Sequence, residues 1–86
     1  MPRVILTGSI RQHAGGLGAV DVGGATVRAA IVALEEAHPP LRGWVADEQG
    51  TLRRHVKVFL RGAAVELDAP VGPDEELHIV AAISGG

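Results

Sequence analysis

The feature that most constrains the fold is the apolar run Leu77–Ile83, in which His78 is the only polar residue. Its length is that of a β-strand and far below the ~20 residues that span a bilayer. Because both faces of the run are apolar, the pattern predicts a strand buried between two neighbours and beneath a helix. With aromatics at 2%, only Trp44 and Phe59, aliphatic side chains must fill the core.

One amphipathic helix is predicted after Thr26, whose hydroxyl can cap the first turn. Apolar residues then recur at helical spacing on one face, at Val27, Ala30, Ile31, Leu34 and Ala37. Pro39 and Pro40 end the helix because neither nitrogen can donate a hydrogen bond. Glu35 and Glu36 lie outside the apolar stripe, and we interpret them as solvated charge rather than as an acid-base pair.

The remaining strand-like segments are short and bounded by glycine, proline or acidic turns. We expect strands at 3–7, 19–22, 55–60, 65–67 and 77–83, a loop over 8–18, and a tight turn at Arg61-Gly62. Trp44 and Val45 are expected to plug the edge of the core. The order of elements predicts an α+β protein with a mixed sheet of about five strands and one main helix on one face, which is the β-grasp or ubiquitin-like fold. Residues 1–83 would form a single domain, followed by a flexible tail, 84–86.

Composition excludes several classes of function. The formal net charge of −2 gives no general attraction to nucleic acid or anionic lipid. The chain has no cysteine, and its four histidines are scattered, so we expect neither a thiol nucleophile nor a metal site. No nucleophile-base pair is evident, which argues against an independent enzyme. Without an apolar span or a signal sequence, the expected location is the cytoplasm.

The sequence ends in Ser84-Gly85-Gly86, directly after the predicted central strand. Glycine has no side chain, so such a tail can enter a slot too narrow for other residues. At about 3.3 to 3.6 Å per residue, the tail could carry a terminal carboxylate on the order of 10 Å beyond the domain. This geometry is suited to presenting an acyl group to the active site of another protein.

These residues resemble the sulfur-carrier proteins of the MoaD/ThiS family, which are small ubiquitin-like chains ending in Gly-Gly. The strongest resemblance runs over 52–59, the Arg61-Gly62 turn, 77–79 and 82–86. Arg61 departs from the family pattern, in which Asn or Asp, residues that tolerate positive φ better, often precedes the turn glycine.

The resemblance implies that a partner enzyme, using ATP and Mg²⁺, adenylates the carboxylate of Gly86, and that sulfur then replaces AMP to give a thiocarboxylate. Gly85 and Ser84 would provide clearance for the tail. Contacts with the partner would involve four residues, Ile83, Phe59, Arg53 and Arg54, together with the exposed sheet face. The chain itself would bind no cofactor and would act as a monomer or in a complex with the activating enzyme or a sulfur-acceptor synthase.

Two alternatives remain open from the sequence. The activated carboxyl could be transferred to lysine amines, which would make the chain a protein modifier. It could also be a non-reactive β-grasp interaction module. For a sulfur carrier, the acceptor could belong to molybdopterin, thiamine, cysteine or thio-nucleoside synthesis, and the stretch from Gly50 to Phe59 is somewhat closer to the cysteine-forming branch.

Overall fold

A computed structural model describes residues 1–81 of the chain. These residues form a five-stranded mixed sheet with one main helix, as the sequence predicts. In chain order the elements are β1 (Arg3–Leu6), α1 (Gly8–His13), β2 (Ala19–Asp21), α2 (Val27–Ala37), a 3-10 turn (Pro39–Leu41), β3 (Val56–Leu60), β4 (Ala63–Ala64) and β5 (Glu76–Ala81).

The strand order is β2-β1-β5-β3-β4, which puts β5 at the centre of the sheet. β5 runs parallel to β1, with Leu6 opposite Ile79, and antiparallel to β3, with Val56 opposite Ala81. The two outer pairs, β1 with β2 and β3 with β4, are antiparallel. The predicted central position of the last strand is therefore confirmed.

Helix α2 begins and ends where the sequence predicts. The Thr26 hydroxyl accepts a hydrogen bond of 3.1 Å from the Ala29 N–H, which caps the first turn. At the other end, the His38 N–H donates to the Leu34 carbonyl, and the chain passes into the 3-10 turn that begins at Pro39. The buried face of α2 packs over the sheet in one aliphatic core. Its largest fully buried side chains are Leu6, Ile10, Leu34, Leu41, Leu77, Ile79, Val4, Val27, Val45 and Val58.

The loop expected over 8–18 is wrong in part, because α1 occupies its first half. Ile10 is the one buried side chain of α1. The sequence of this segment therefore contains no apolar repeat that would indicate a helix. The short helix forms because Ile10 closes the core at the end of β1, a tertiary effect that local periodicity does not report.

The predicted return strand at 65–67 is also wrong. The Arg61-Gly62 turn has φ of +52° and +78°, so both central residues are left-handed, as in a two-residue type I′ hairpin. Such a short loop makes the return strand begin at once, at Ala63. Val65 donates one more bond to the Val58 carbonyl of β3, and the residues after it leave the sheet. The Leu67 carbonyl accepts a 2.9 Å bond from the Arg28 N–H at the start of α2.

Of the two residues expected to plug the core edge, only Val45 does so. Val45 is 0% exposed, whereas Trp44 is 45% exposed and stacks on His13 with 3.7 Å between ring centroids. The expectation for Trp44 is wrong because the core takes one of these two neighbouring side chains and leaves the other outside. None of the helices in residues 1–81 has the length and apolarity needed to cross a membrane.

Candidate functional site

The face of the sheet opposite α2 carries a row of cross-strand neighbours through its centre. Ile5 lies opposite His78 of β5, and His78 lies opposite Phe59 of β3. Ala19 and Ala64 extend the row to the two edges. Directly opposed residues of neighbouring strands share a face. We call this surface, with Val80 on the same strand as His78, the open face.

Burial along β5 shows that the open face has no layer over it within the described chain. Leu77 and Ile79 are buried, whereas Glu76 and His78 are exposed and Val80 is half-buried. The expectation that β5 would be buried on both faces is therefore wrong. One helix can cover only one face of the sheet, so the apolar character of Val80 belongs to a surface rather than to the core.

Phe59, predicted as a partner-binding residue, lies on the open face. Its chain neighbours Val58 and Leu60 are buried on the core side, so the strand alternation turns Phe59 outward, where it remains half-buried. Ile5 has the same position between Val4 and Leu6 on β1. Sequence analysis missed Ile5 because a run of aliphatic residues is also typical of a strand buried on both faces.

Charged side chains surround this apolar centre. Arg3 Nε lies 3.1 Å from Asp21 Oδ1, and Arg3 is also the cross-strand partner of Glu76. Glu76 Oε1 lies 3.6 Å from His78 Nε2, a contact that becomes an ion pair only when the imidazole is protonated. Lys57 lies opposite Val80. An apolar centre with a polar rim is the usual anatomy of a protein interface.

The two predicted arginines are not part of this row. Both precede β3, and the register of Val56 with Ala81 places the start of β3 at the end of the sheet from which residues 82–86 continue. Arg53 holds the preceding loop, because its Nε donates a 2.8 Å bond to the Gly43 carbonyl and its N–H donates to the Val45 carbonyl. Arg54 is exposed. Arg53 thus anchors the loop, whereas Arg54 is available for contact with a partner.

The predicted tail residues Gly86, Gly85 and Ser84, and the predicted contact residue Ile83, lie outside the described residues. What the structure describes is their point of attachment. β5 is paired on one side as far as Ala81 and on the other as far as Ile79, whose carbonyl accepts a 3.3 Å bond from the Thr7 hydroxyl. The strand that leads to the tail is therefore held by both neighbours.

Within residues 1–81, the pKa values of two carboxyl groups are shifted, and neither group lies on the open face. The Gly72 N–H, 2.8 Å from Glu75 Oε1, lowers the pKa of Glu75, with Arg61 adding to the effect and burial opposing it. Burial raises the pKa of Glu35, opposed by the charge of Arg42. Among residues 1–81, no group of three His, Asp or Glu side chains is arranged to hold a metal ion.

Known proteins resemble this chain in both sequence and structure. Small archaeal modifier protein 1 of Haloferax volcanii is 40% identical over 68 residues, which are 78% of each chain. The crystal structure of SAMP1 from the same organism superposes with a TM-score of 0.84 at 34% identity, covering 99% of this chain and 98% of that one. A chain of the Amycolatopsis orientalis BexX/CysO complex gives 0.87 at 29% identity over the full length of both.

These neighbours are β-grasp, ubiquitin-like proteins, so the fold expected from the order of elements is confirmed. The chain is homologous to SAMP1 and CysO, which are sulfur-carrier and modifier proteins of the MoaD/ThiS group. A family model matches residues 4–86, which include every predicted site residue. By that match, this chain belongs to the ThiS family.

Proposed function

We propose that this protein is a sulfur carrier whose reacting group is the carboxylate of Gly86. The observation that carries the proposal is the match of the ThiS family over residues 4–86, together with a central strand paired on both sides that leads directly to the tail. A tail attached to a rigid strand loses less conformational freedom on entering a partner than one attached to a loop.

The proposed chemistry has two steps. A carboxylate is a poor acyl electrophile, so an oxygen of Gly86 first attacks the α-phosphorus of ATP in the partner, and pyrophosphate leaves. A hydrosulfide ion then attacks the acyl carbon and loses its proton, and AMP leaves with the bridging oxygen. The product is a terminal thiocarboxylate, which donates its sulfur to a biosynthetic acceptor. The partner enzyme supplies ATP, Mg²⁺ and the positioning of the phosphate.

This chain contributes recognition and access rather than catalysis. The open face supplies an apolar centre, Ile5, Phe59 and Val80, and a charged rim on which an activating enzyme can dock. That a related chain is found in a BexX/CysO complex supports a protein partner for this one. Gly85, with no Cβ, allows the tail to pass through a narrow channel. We place the reaction in the cytoplasm.

The test is ATP-pyrophosphate exchange by the activating enzyme that co-purifies with the protein. Deletion of Gly86 should abolish exchange, and Gly85→Ala should slow it, while the free energy of unfolding stays the same because both residues follow the last strand. Val32→Ala, at an exposed position of α2, is the control and should exchange normally. Unchanged exchange by the Gly86 deletion would contradict the proposal.

A second function, conjugation to lysine amines, is favoured by one observation. The relative with 40% identity is named a modifier protein. Both functions share the adenylation step, so exchange assays do not separate them. Intact-mass analysis of the protein with its native terminus does: replacement of one terminal oxygen by sulfur supports the carrier, whereas peptides joined through Gly86 to a lysine support the modifier. A variant with a blocked tail that keeps full function would instead indicate a non-reactive interaction module.

A further inference from the structure

A groove runs along the outer edge of β3, on the side of the strand away from β5. Its walls are residues 51–54, 56–58 and 64–67, and it encloses about 360 Å³. The groove follows the edge of the strand, whereas the open face lies across the centre of the sheet, and Lys57 borders both surfaces.

The groove exists because β4 is too short to cover β3. β4 pairs only with Phe59 and Leu60. One more bond follows, 2.9 Å from the Val65 N–H to the Val58 carbonyl, and the chain then turns away towards α2. The reciprocal bond from the Val58 N–H to the Val65 carbonyl is not formed. The first half of β3 is therefore an uncovered sheet edge.

Strand alternation identifies the free groups on this edge. The Val58 carbonyl points towards β4, so the Val58 N–H and both backbone groups of Val56 point the same way. The Val56 N–H already donates to the Arg53 carbonyl. Among residues 1–81, the Val56 carbonyl has no donor and the Val58 N–H has no acceptor, so both groups remain available. One residue of an added parallel strand, lying opposite Lys57, satisfies both groups with its own N–H and C=O.

The charge of the walls indicates the chemistry of the added strand. Three cationic side chains, Arg53, Arg54 and Lys57, line the groove against one carboxylate, Glu66, whereas the whole chain has a net charge of −2. The half-buried side chains of Leu52 and Leu67 supply an apolar surface between these charges. We propose that the edge of β3 binds an extended acidic peptide segment of a partner protein, parallel to β3 and with apolar residues on either side of its central position.

The test uses a synthetic, acetylated and amidated peptide, Asp-Glu-Val-Thr-Val-Asp-Glu, and the same peptide with lysine at each acidic position. Backbone amide NMR on the full chain should show saturable shifts at Val56 and Val58 with the acidic peptide. Exchange of the Val58 amide with solvent should slow on binding, whereas that of Lys57, which faces β5, should not. Absence of binding, equal binding of the basic peptide, or shifts confined to the open face would overturn the proposal.

Charge variants provide a second readout. Arg54→Gln and Lys57→Gln should each weaken peptide binding by about threefold, and Glu66→Gln should strengthen it by a similar factor. Gln12→Glu makes the same change in net charge as each of the first two, on α1 outside the groove walls, and should have no effect. If the Val58 amide becomes protected on raising the protein concentration without peptide, the edge pairs with a second copy of the chain, and the proposal is wrong.

Discussion

Phe59 of β3 and His78 of β5 are direct cross-strand partners on the open face of the sheet. Phe59 is half-buried and His78 is exposed, so an aromatic ring and an imidazole lie together at the centre of the surface we assign to partner docking. Large aromatic side chains near the centre of an interface contribute most to binding. Phe59 is therefore the residue at which the docking surface is best tested.

Phe59→Ala should weaken binding to the activating enzyme by about tenfold or more, because truncation removes a central apolar contact. The fold should persist, since Phe59 is absent from the buried core. Titration calorimetry with the co-purifying enzyme measures the affinity, and Val32→Ala, at an exposed position of α2, is the matched control. Equal affinities of the two variants for the enzyme would show that Phe59 is not part of the docking surface.

Gly24→Ala should lower the free energy of unfolding by about 1 to 3 kcal/mol. Gly24 has φ of +127°, and an added Cβ would lie 2.7 Å from the Ala30 nitrogen and 2.9 Å from the Ala29 carbonyl carbon in the first turns of α2. The neighbouring Gly23 has open space at its Cβ position, so Gly23→Ala is the control. Chemical denaturation compares the unfolding midpoints of the two variants. Equal midpoints would contradict the close approach of Gly24 to α2.

Arg61→Asn should raise the free energy of unfolding by up to about 1 kcal/mol. Arg61 has φ of +52°, a left-handed conformation that Asn adopts more readily, and the exposed ion pair with Glu75 that would be lost contributes little. Arg61→Ala loses the same ion pair and keeps the strained φ, so it should be less stable than the natural protein. Thermal unfolding of the natural protein and the two variants ranks their stabilities. An Asn variant no more stable than the Ala variant would contradict a cost of the left-handed conformation at Arg61.

Glu75 should contribute to acid unfolding. Its pKa in the folded protein is lowered, chiefly by the Gly72 N–H and further by Arg61. A carboxylate with a lowered folded pKa stabilises the protein above its unfolded pKa, and the stabilisation disappears as pH falls through the folded value. Stability measured by urea unfolding at pH 7 and pH 3 should therefore fall less in Glu75→Gln than in the natural protein. An equal loss in both proteins would contradict this role.

The elements with long, regular patterns are predictable from sequence, and those decided by short-range geometry are not. α2 is recognised from its apolar repeat and the Thr26 cap, and β5 from its apolar run. The position of β4 follows instead from the φ angles at Arg61, which residue preferences do not indicate. Within the candidate site, Phe59 is expected as a contact residue from the family resemblance, but Ile5 is hidden in an aliphatic run and Arg53 turns inward to the Gly43 carbonyl. The tail residues stay predictions.

The position of β5 between two neighbours has a mechanical consequence. A protein that bound the chain beyond Ala81 and pulled along β5 would load the hydrogen-bond ladders to β1 and β3 in shear. In that geometry the bonds share the force and must rupture together, whereas a pull perpendicular to the strand would open them one at a time. A partner that bound residues beyond Ala81 would therefore apply force at a strand that two neighbours, β1 and β3, hold in place.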